Sequence, residues 1–224
     1  MKILSLPSKS TITRYVGNCD PTSMQSLIKV RLSEEFKKVS EKEAFGSLQI
    51  DEMKIKPLAN YLAFSDKIVG YTSMNGIEKE TEDKLATKLL CFLFSGLSSH
   101  YKIPVGYFFT SSLNGKQLHE LTLHVIKLIE ETGFIVLHIV ADNAKVNVSL
   151  FNHLCEKNIR PQIPHPLNPE RVLFLSYDYC HVLKNLRNQF VSRKRILRNK
   201  GKIISSFPLQ EINTMQKDWV IKLV

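Results

Sequence analysis

Cysteine is scarce in this chain of 224 residues, and its four cysteines lie far apart along the sequence. No CxxC pair occurs, and no cysteine–histidine spacing matches a zinc site. A disulfide framework and a zinc module are therefore not indicated, and a reducing intracellular setting is the simple interpretation. The four residues are Cys19, Cys91, Cys155 and Cys180.

Long apolar runs are missing as well. The longest, residues 89–94, is far too short to cross a bilayer, and the N-terminus lacks the apolar core of a secretory signal. Neither a P-loop nor a GxGxxG motif is present. With 43% hydrophobic and 23% charged residues, the composition predicts an ordered, soluble protein of one domain, or of one domain and part of another.

Acidic residues are absent between Tyr179 and Gln210, and most of the net charge of +10 lies near this end of the chain. Lys and Arg displace counterions from phosphates, so this stretch favours nucleic acid as a partner. A solvated helix face and a nuclear import signal are the alternatives. The basic residues of the stretch are Lys184, Arg187, Arg193, Lys194, Arg195, Arg198, Lys200 and Lys202.

Hydrophobic spacing predicts an α/β domain whose first part is antiparallel and whose second part is parallel. Helices are expected at residues 24–39, with Thr22 or Ser23 as N-cap, and at 117–131, 145–158 and 181–198. Strands are expected at residues 46–55, 103–110, 134–141 and 171–177. Residues 61–71 are either the hairpin partner of the first strand or a flanking extension, and residues 88–97 form a buried strand or a short buried helix. Prolines are expected to force residues 161–169 into a surface loop.

Two aspartates stand out at strand positions. Asp51 interrupts an otherwise apolar strand, and Asp142 directly follows the most apolar strand of the chain. If the two strands are neighbours, the carboxylates converge, and a divalent cation such as Mg²⁺ relieves their repulsion. Glu52 points to the opposite face and is the weaker candidate ligand. The alternatives are that Asp142 caps the following helix and that Asp51 lies at a turn or a sheet edge.

A third polar cluster begins at Asp178, directly after the strand expected at residues 171–177. On a helix, His181, Lys184, Asn185 and Asn188 share one face, which could contact phosphate. The same residues could instead cap and cross-link the start of the helix. The scattered histidines at positions 119, 124, 138 and 153 are interpreted as structural residues.

Taken in order, these segments resemble the P-element transposase family and its THAP-domain-containing relatives. The resemblance covers about residues 5–190 and rests on the order and spacing of several short motifs. They are LPSKSTI at 6–12, LQIDEMKIKP at 48–57, Gly70, LATKLLCFLFSGL at 85–97, YKIPVGYFFT at 101–110, VADNAKVN at 140–147, the His165-Pro166 loop and DYCHVLKNLRN at 178–188.

The resemblance implies an RNase H-like fold, in which a mixed sheet of three antiparallel and two parallel strands is flanked by helices. It also implies that Asp51 and Asp142 are catalytic ligands of Mg²⁺ in a nuclear enzyme that cleaves and transfers DNA strands. In the family, a third acidic ligand follows an inserted GTP-binding domain. No residue here can be assigned to that ligand, so the expected core is incomplete. GTP is not predicted as a cofactor of this chain, because most of the inserted domain is expected to be absent from it.

The resemblance further divides the chain into three parts. Residues 1–40 lead into the core, residues 41–178 form an incomplete RNase H-like core, and residues 179–224 begin the inserted domain.

Three functions remain open at this point. The chain is a transposase core, or a non-catalytic nucleic-acid-binding derivative of one, or an unrelated nucleotide-binding α/β module whose aspartates are helix caps. The candidate nucleic-acid contacts are Lys184, Arg187, Arg193, Lys194, Arg195 and Arg198.

Overall fold

The structure is a computed structural model that describes residues 24–63, 66–73, 84–192 and 197–216. Its elements are α1 (Met24–Phe36), a 3-10 helix (Glu41–Glu43), β1 (Phe45–Lys54), β2 (Asn60–Leu62), β3 (Lys67–Val69), β4 (Lys88–Gly96), β5 (Lys102–Thr110), α2 (Gly115–Glu130), β6 (Ile135–Ala141), α3 (Lys145–Leu154), β7 (Gln162–His165), β8 (Asn168–Tyr177), α4 (Tyr179–Val191), β9 (Leu197–Asn199), β10 (Lys202–Ile204) and α5 (Phe207–Met215). None of the described helices is both long and apolar enough to span a membrane.

A six-stranded sheet forms the centre of the fold, with the strand order β5-β4-β1-β6-β8-β7. β1 pairs antiparallel with β4 and parallel with β6, and β4 pairs antiparallel with β5. The expected mixed sheet flanked by helices is therefore confirmed. β1 lies at the junction between its antiparallel and parallel parts, which is where ligand sites form in open α/β sheets.

The core lies on the face of the sheet that α2 covers. Asn114 caps α2 by accepting a hydrogen bond from the backbone of Gln117, and the Gln117 side chain accepts one from the backbone of Asn114. The apolar stripe of α2 is buried, including Leu118, Leu121, Val125 and Ile129. Alternate residues of β1 and β4 point to this face, so Leu48, Ile50, Leu90, Phe92 and Phe94 are buried too.

The chain divides into two compact units, Met1–Ser176 and Tyr177–Val224. The first unit contains the six-stranded sheet and its covering helices. The second contains α4, the β9–β10 hairpin and α5. The finer domain boundaries after residues 40 and 178 stay predictions.

The prediction of a proline-forced loop at residues 161–169 is wrong. β7 runs through Gln162–His165 as an edge strand and pairs antiparallel with β8, which already begins at Asn168. Pro164 is compatible with this strand because an edge strand has ladder hydrogen bonds on one side only. Proline in a sequence indicates a loop unless the segment is an edge strand, and the sequence alone does not show which strand lies at an edge.

The structure decides between two alternatives that the sequence left open and shortens two helices. Residues 61–71 are not the hairpin partner of β1, because β1 pairs antiparallel with β4 and residues 60–69 form the separate β2–β3 hairpin. The ambiguous run at 88–97 is the strand β4. The helices expected at 145–158 and 181–198 end at Leu154 and Val191, and Glu156 and Lys157 turn the chain after α3 with positive φ. The expected caps Thr22 and Ser23 lie outside the described residues.

Candidate metal centre and basic surface

Asp51 and Asp142 lie at neighbouring positions of two adjacent strands. In the parallel register of β1 and β6, Ile50 is opposite Ala141, and each aspartate is the next residue of its chain. Adjacent strands are about 4.8 Å apart, so the backbone brings the two aspartates to the same end of β6. The register therefore brings the backbones of two residues that are far apart in sequence close together near the centre of the sheet.

The carboxylate of Asp142 is held by the start of α3. Its Oδ1 accepts hydrogen bonds from the Ala144 backbone N–H at 2.8 Å and from Asn147 Nδ2 at 2.7 Å. The N-cap of α3 is Ala144, so Asp142 supports the helix start from two residues before the cap. Within the described part of the chain, Oδ2 accepts no hydrogen bond, which leaves this atom available to a ligand. Supporting the helix and binding a cation are therefore compatible roles.

Asp51 is exposed, and its Oδ1 accepts a hydrogen bond from the backbone N–H of Glu52 at 2.8 Å. The next residue, Glu52, forms an ion pair instead, because its Oε2 lies 2.8 Å from Lys88 Nζ. Successive side chains of a strand point to opposite faces, so Glu52 points away from Asp51.

Cys91 is the direct cross-strand neighbour of Asp51. Partial burial and the negative charge of Asp51 raise the pKa of the Cys91 thiol. The protonated form of this thiol is therefore favoured in the absence of a metal.

The donor set at Asp51 and Asp142 fits Mg²⁺. Mg²⁺ prefers oxygen ligands and is commonly held by one or two carboxylates together with substrate phosphate. Across the described residues, no group of three or more His, Cys, Asp and Glu side chains is arranged to hold a metal. Two carboxylates alone leave coordination positions that substrate phosphate and water can fill.

Asp178 is the N-cap of α4. Its Oδ1 accepts a hydrogen bond from the Cys180 backbone N–H, and its Oδ2 lies 2.8 Å from His181 Nδ1. The hydrogen bond with His181 lowers the pKa of the Asp178 carboxyl. Asp178 and His181 therefore cap and cross-link the helix start. Lys184, Asn185 and Asn188 follow on the same helix with exposed side chains.

The basic residues divide into described and undescribed positions. Arg193, Lys194 and Arg195 lie outside the described residues, whereas Lys184 and Arg187 on α4 and Arg198 on β9 are exposed. Lys184 and Arg187 also border an open apolar groove of about 590 Å³, which we call the α4 groove. Its other lining residues are Leu183, Leu186, Phe190 and Ile204.

Sequence reasoning missed a polar network around Glu130. The Oε2 of Glu130 accepts a hydrogen bond from Arg171 Nη2 at 2.7 Å, and its Oε1 accepts one from the Val136 backbone N–H at 3.2 Å. Buried His165 places Nε2 3.2 Å from the same Oε1, but this contact is not aligned as a good hydrogen bond, so its attraction is mainly electrostatic. No sequence signal links the partners, because Arg171 is 41 positions from Glu130.

His138 makes a second cross-strand link. Its Nδ1 lies 3.2 Å from Ser47 Oγ on β1, and its Nε2 lies 2.8 Å from Ser176 Oγ on β8. Burial lowers the pKa of His138, so its neutral form is favoured. The ring bridges three strands, which agrees with its interpretation as a structural residue.

The chain matches a family model described as "TNP-like, RNase H N-terminal domain" over residues 19–155, more than half of its length. It is 24% identical over 196 residues to the DNA transposase THAP9 of Homo sapiens, covering 84% of this chain and 22% of that protein. It is 23% identical over 206 residues to the transposable element P transposase of Drosophila melanogaster, covering 92% and 25%. The chain thus spans about a quarter of the length of these curated relatives.

A solved structure shows the same fold. The Drosophila P element transposase strand transfer complex superposes with a TM-score of 0.65 at 20% identity, covering 96% of this chain and 44% of that one. At this level of identity the likeness concerns the fold.

Proposed function

Because this chain belongs to the TNP-like RNase H N-terminal domain family, we propose that it provides two metal-binding carboxylates of a P-element-type DNA transposase core. The ligands are Asp51 and Asp142, and the ion is Mg²⁺. The observation that carries the proposal is the register of β1 and β6, which sets the two aspartates at adjacent positions. The reaction served is cleavage and transfer of DNA strands in the nucleus.

The residues around the pair have distinct tasks. Asn147 and the Ala144 N–H fix Oδ1 of Asp142, so Oδ2 would be the atom that holds the ion. Asp51 contributes the second carboxylate from β1. When bound, Mg²⁺ supplies charge that activates an attacking oxygen and stabilises a leaving one.

The basic surface of the second unit supports DNA as the substrate. Arg198 on β9, together with the undescribed Arg193, Lys194 and Arg195, provides phosphate contacts, and the exposed Lys184 and Arg187 extend them along α4. In domain terms, we assign residues 41–178 to the core and residues 179–224 to the start of an inserted domain.

Titration with Mg²⁺ in the presence of a short DNA duplex tests the metal site. Asp51→Asn and Asp142→Asn should each weaken Mg²⁺ binding roughly tenfold or more, because each removes an anionic ligand. Asn147→Ala, which frees the Asp142 carboxylate, should weaken it about tenfold. The matched control is Glu52→Gln, which removes a neighbouring carboxylate on the opposite face. Affinity unchanged in both aspartate variants would contradict the proposal.

A second candidate function is a non-catalytic nucleic-acid-binding derivative. It is favoured by the exposed cations of the second unit and by the lack of a three-ligand acidic cluster among the described residues. In this case, DNA affinity stays unchanged when Asp51 and Asp142 are replaced by Asn, but it falls when Arg193, Lys194 and Arg195 are changed to Gln. The slope of log affinity against log salt should then decrease by roughly one for each phosphate contact removed.

A further inference from the structure

The α4 groove exposes apolar side chains from two elements, α4 and β10. No residue of α4 is buried, and Leu183 and Leu186 keep 58% and 49% of their surface exposed. Ile204 of β10, on another wall of the groove, is 45% exposed. A contiguous apolar surface with a polar border marks a binding site for an apolar partner.

A nucleic-acid backbone is a poor occupant of this groove. Phosphates are bound by N–H and O–H donors, and the floor made by Leu183, Leu186 and Phe190 offers only hydrocarbon. Covering this floor with a hydrated backbone would gain no apolar contact. The groove therefore differs from the position of Arg198 on β9.

A second copy of the same face is also a poor occupant. The stretch from Tyr179 to Gln210 contains no acidic residue, and Lys184 and Arg187 border the groove. Two copies packed groove to groove would bring these cations together without counter-charges. Charge complementarity requires an occupant that is acidic where these two cations lie.

We propose that the α4 groove binds an amphipathic α-helix of a partner polypeptide, whose apolar stripe is edged by Asp and Glu. Side chains at positions i, i+3, i+4 and i+7 of such a helix would fill the space between α4 and β10. The volume of about 590 Å³ is in the range of well-formed binding pockets. Lys184 and Arg187 would pair with the acidic edge and select against basic helices, so such a helix would compete with DNA phosphates for these two cations.

Fluorescence anisotropy with two labelled synthetic helical peptides tests this inference on the full chain. Both peptides carry Leu at i, i+3, i+4 and i+7, and their flanking positions are Glu in one and Lys in the other. The Glu peptide should bind roughly tenfold or more tightly than the Lys peptide. Leu186→Ser should weaken binding of the Glu peptide about tenfold, because it removes a central apolar anchor. The matched control is Leu27→Ser on α1, which is 52% exposed and should change nothing.

Charge reversal provides a test that does not disturb apolar packing. The exposed pair Lys184→Glu and Arg187→Glu should reverse the preference, so that the Lys peptide binds more tightly, while circular dichroism stays unchanged. Equal binding of the two peptides would overturn the inference. So would a concentration-dependent dimer that Leu186→Ser abolishes, or groove binding of duplex DNA that depends on Leu183 and Leu186. The measurement needs neither DNA nor Mg²⁺ for its main result, so its outcome is independent of Asp51 and Asp142.

Discussion

Glu130 joins α2 to three strands through one carboxylate. Burial alone would raise its pKa, but the neighbouring His165 and Arg171 together hold the pKa below its ordinary value of 4.5. A carboxyl whose pKa is lowered by folding stabilises the fold fully above that ordinary value and loses this contribution as the pH falls through the lowered pKa. Glu130 is thus one source of acid sensitivity in the first unit.

Glu130→Gln should lower the free energy of unfolding at pH 7 by about 1–3 kcal/mol, because Arg171 then keeps a partly buried charge without its counter-ion. The difference between variant and wild type should shrink as the pH falls through the lowered pKa of Glu130. Urea denaturation at several pH values measures both effects. Glu131→Gln is the control, since Glu131 forms an exposed ion pair with Lys29. A Glu130→Gln effect no larger than that of Glu131→Gln would show that the network contributes little.

At the scale of single elements, α4 depends on its cap. Asp178→Ala should destabilise the helix start by about 1 kcal/mol, because it removes the acceptor of the Cys180 N–H. Asp178→Asn keeps this acceptor and loses only the charge next to His181, so it should cost less. Hydrogen exchange of the first-turn amides of α4 measures both variants. Identical protection in Asp178→Ala and wild type would argue against the capping role.

The contact between α2 and α3 depends on a glycine. A Cβ at Gly115 would collide with the side chain of Ser149, so the two helices approach at a position with no room for it. Gly115→Ala should cost about 1–3 kcal/mol of stability through this overpacking. Ser149→Gly in the same chain should recover part of the loss, as a double-mutant cycle by thermal denaturation would show. Additive effects of the two substitutions would mean that the helices separate elsewhere.

On the scale of the whole molecule, the number of proposed ligands predicts how active this chain is. The proposed metal site has two carboxylate ligands, Asp51 and Asp142, whose backbones lie side by side in the register of β1 and β6. We therefore expect this chain alone to show little or no Mg²⁺-dependent nuclease or strand-transfer activity on DNA. Plasmid cleavage assays check this expectation. Robust cleavage that disappears in Asp51→Ala and Asp142→Ala would contradict it.

Much of the fold follows from sequence because hydrophobic spacing is a local signal. The buried stripe of α2 and the apolar strand β6 are readable from their own residues. Pairing is not local, so the sequence predicts the proximity of Asp51 and Asp142 only on the condition that β1 and β6 are neighbours, which their register shows. Because pairing is not local, the sequence alone also does not predict the edge strand at Pro164 or the hydrogen-bond partners of Glu130. The sequence does not predict the α4 groove, because an exposed apolar stripe on a helix has the same residue spacing as a buried one.

The two outer strands of the sheet share a residue type. β5 contains Pro104 and β7 contains Pro164, and these strands are the two ends of the strand order. A proline removes one N–H donor from an edge, so neither border is a good template for another strand. Fibril-like growth and strand exchange between copies are thereby discouraged on both sides.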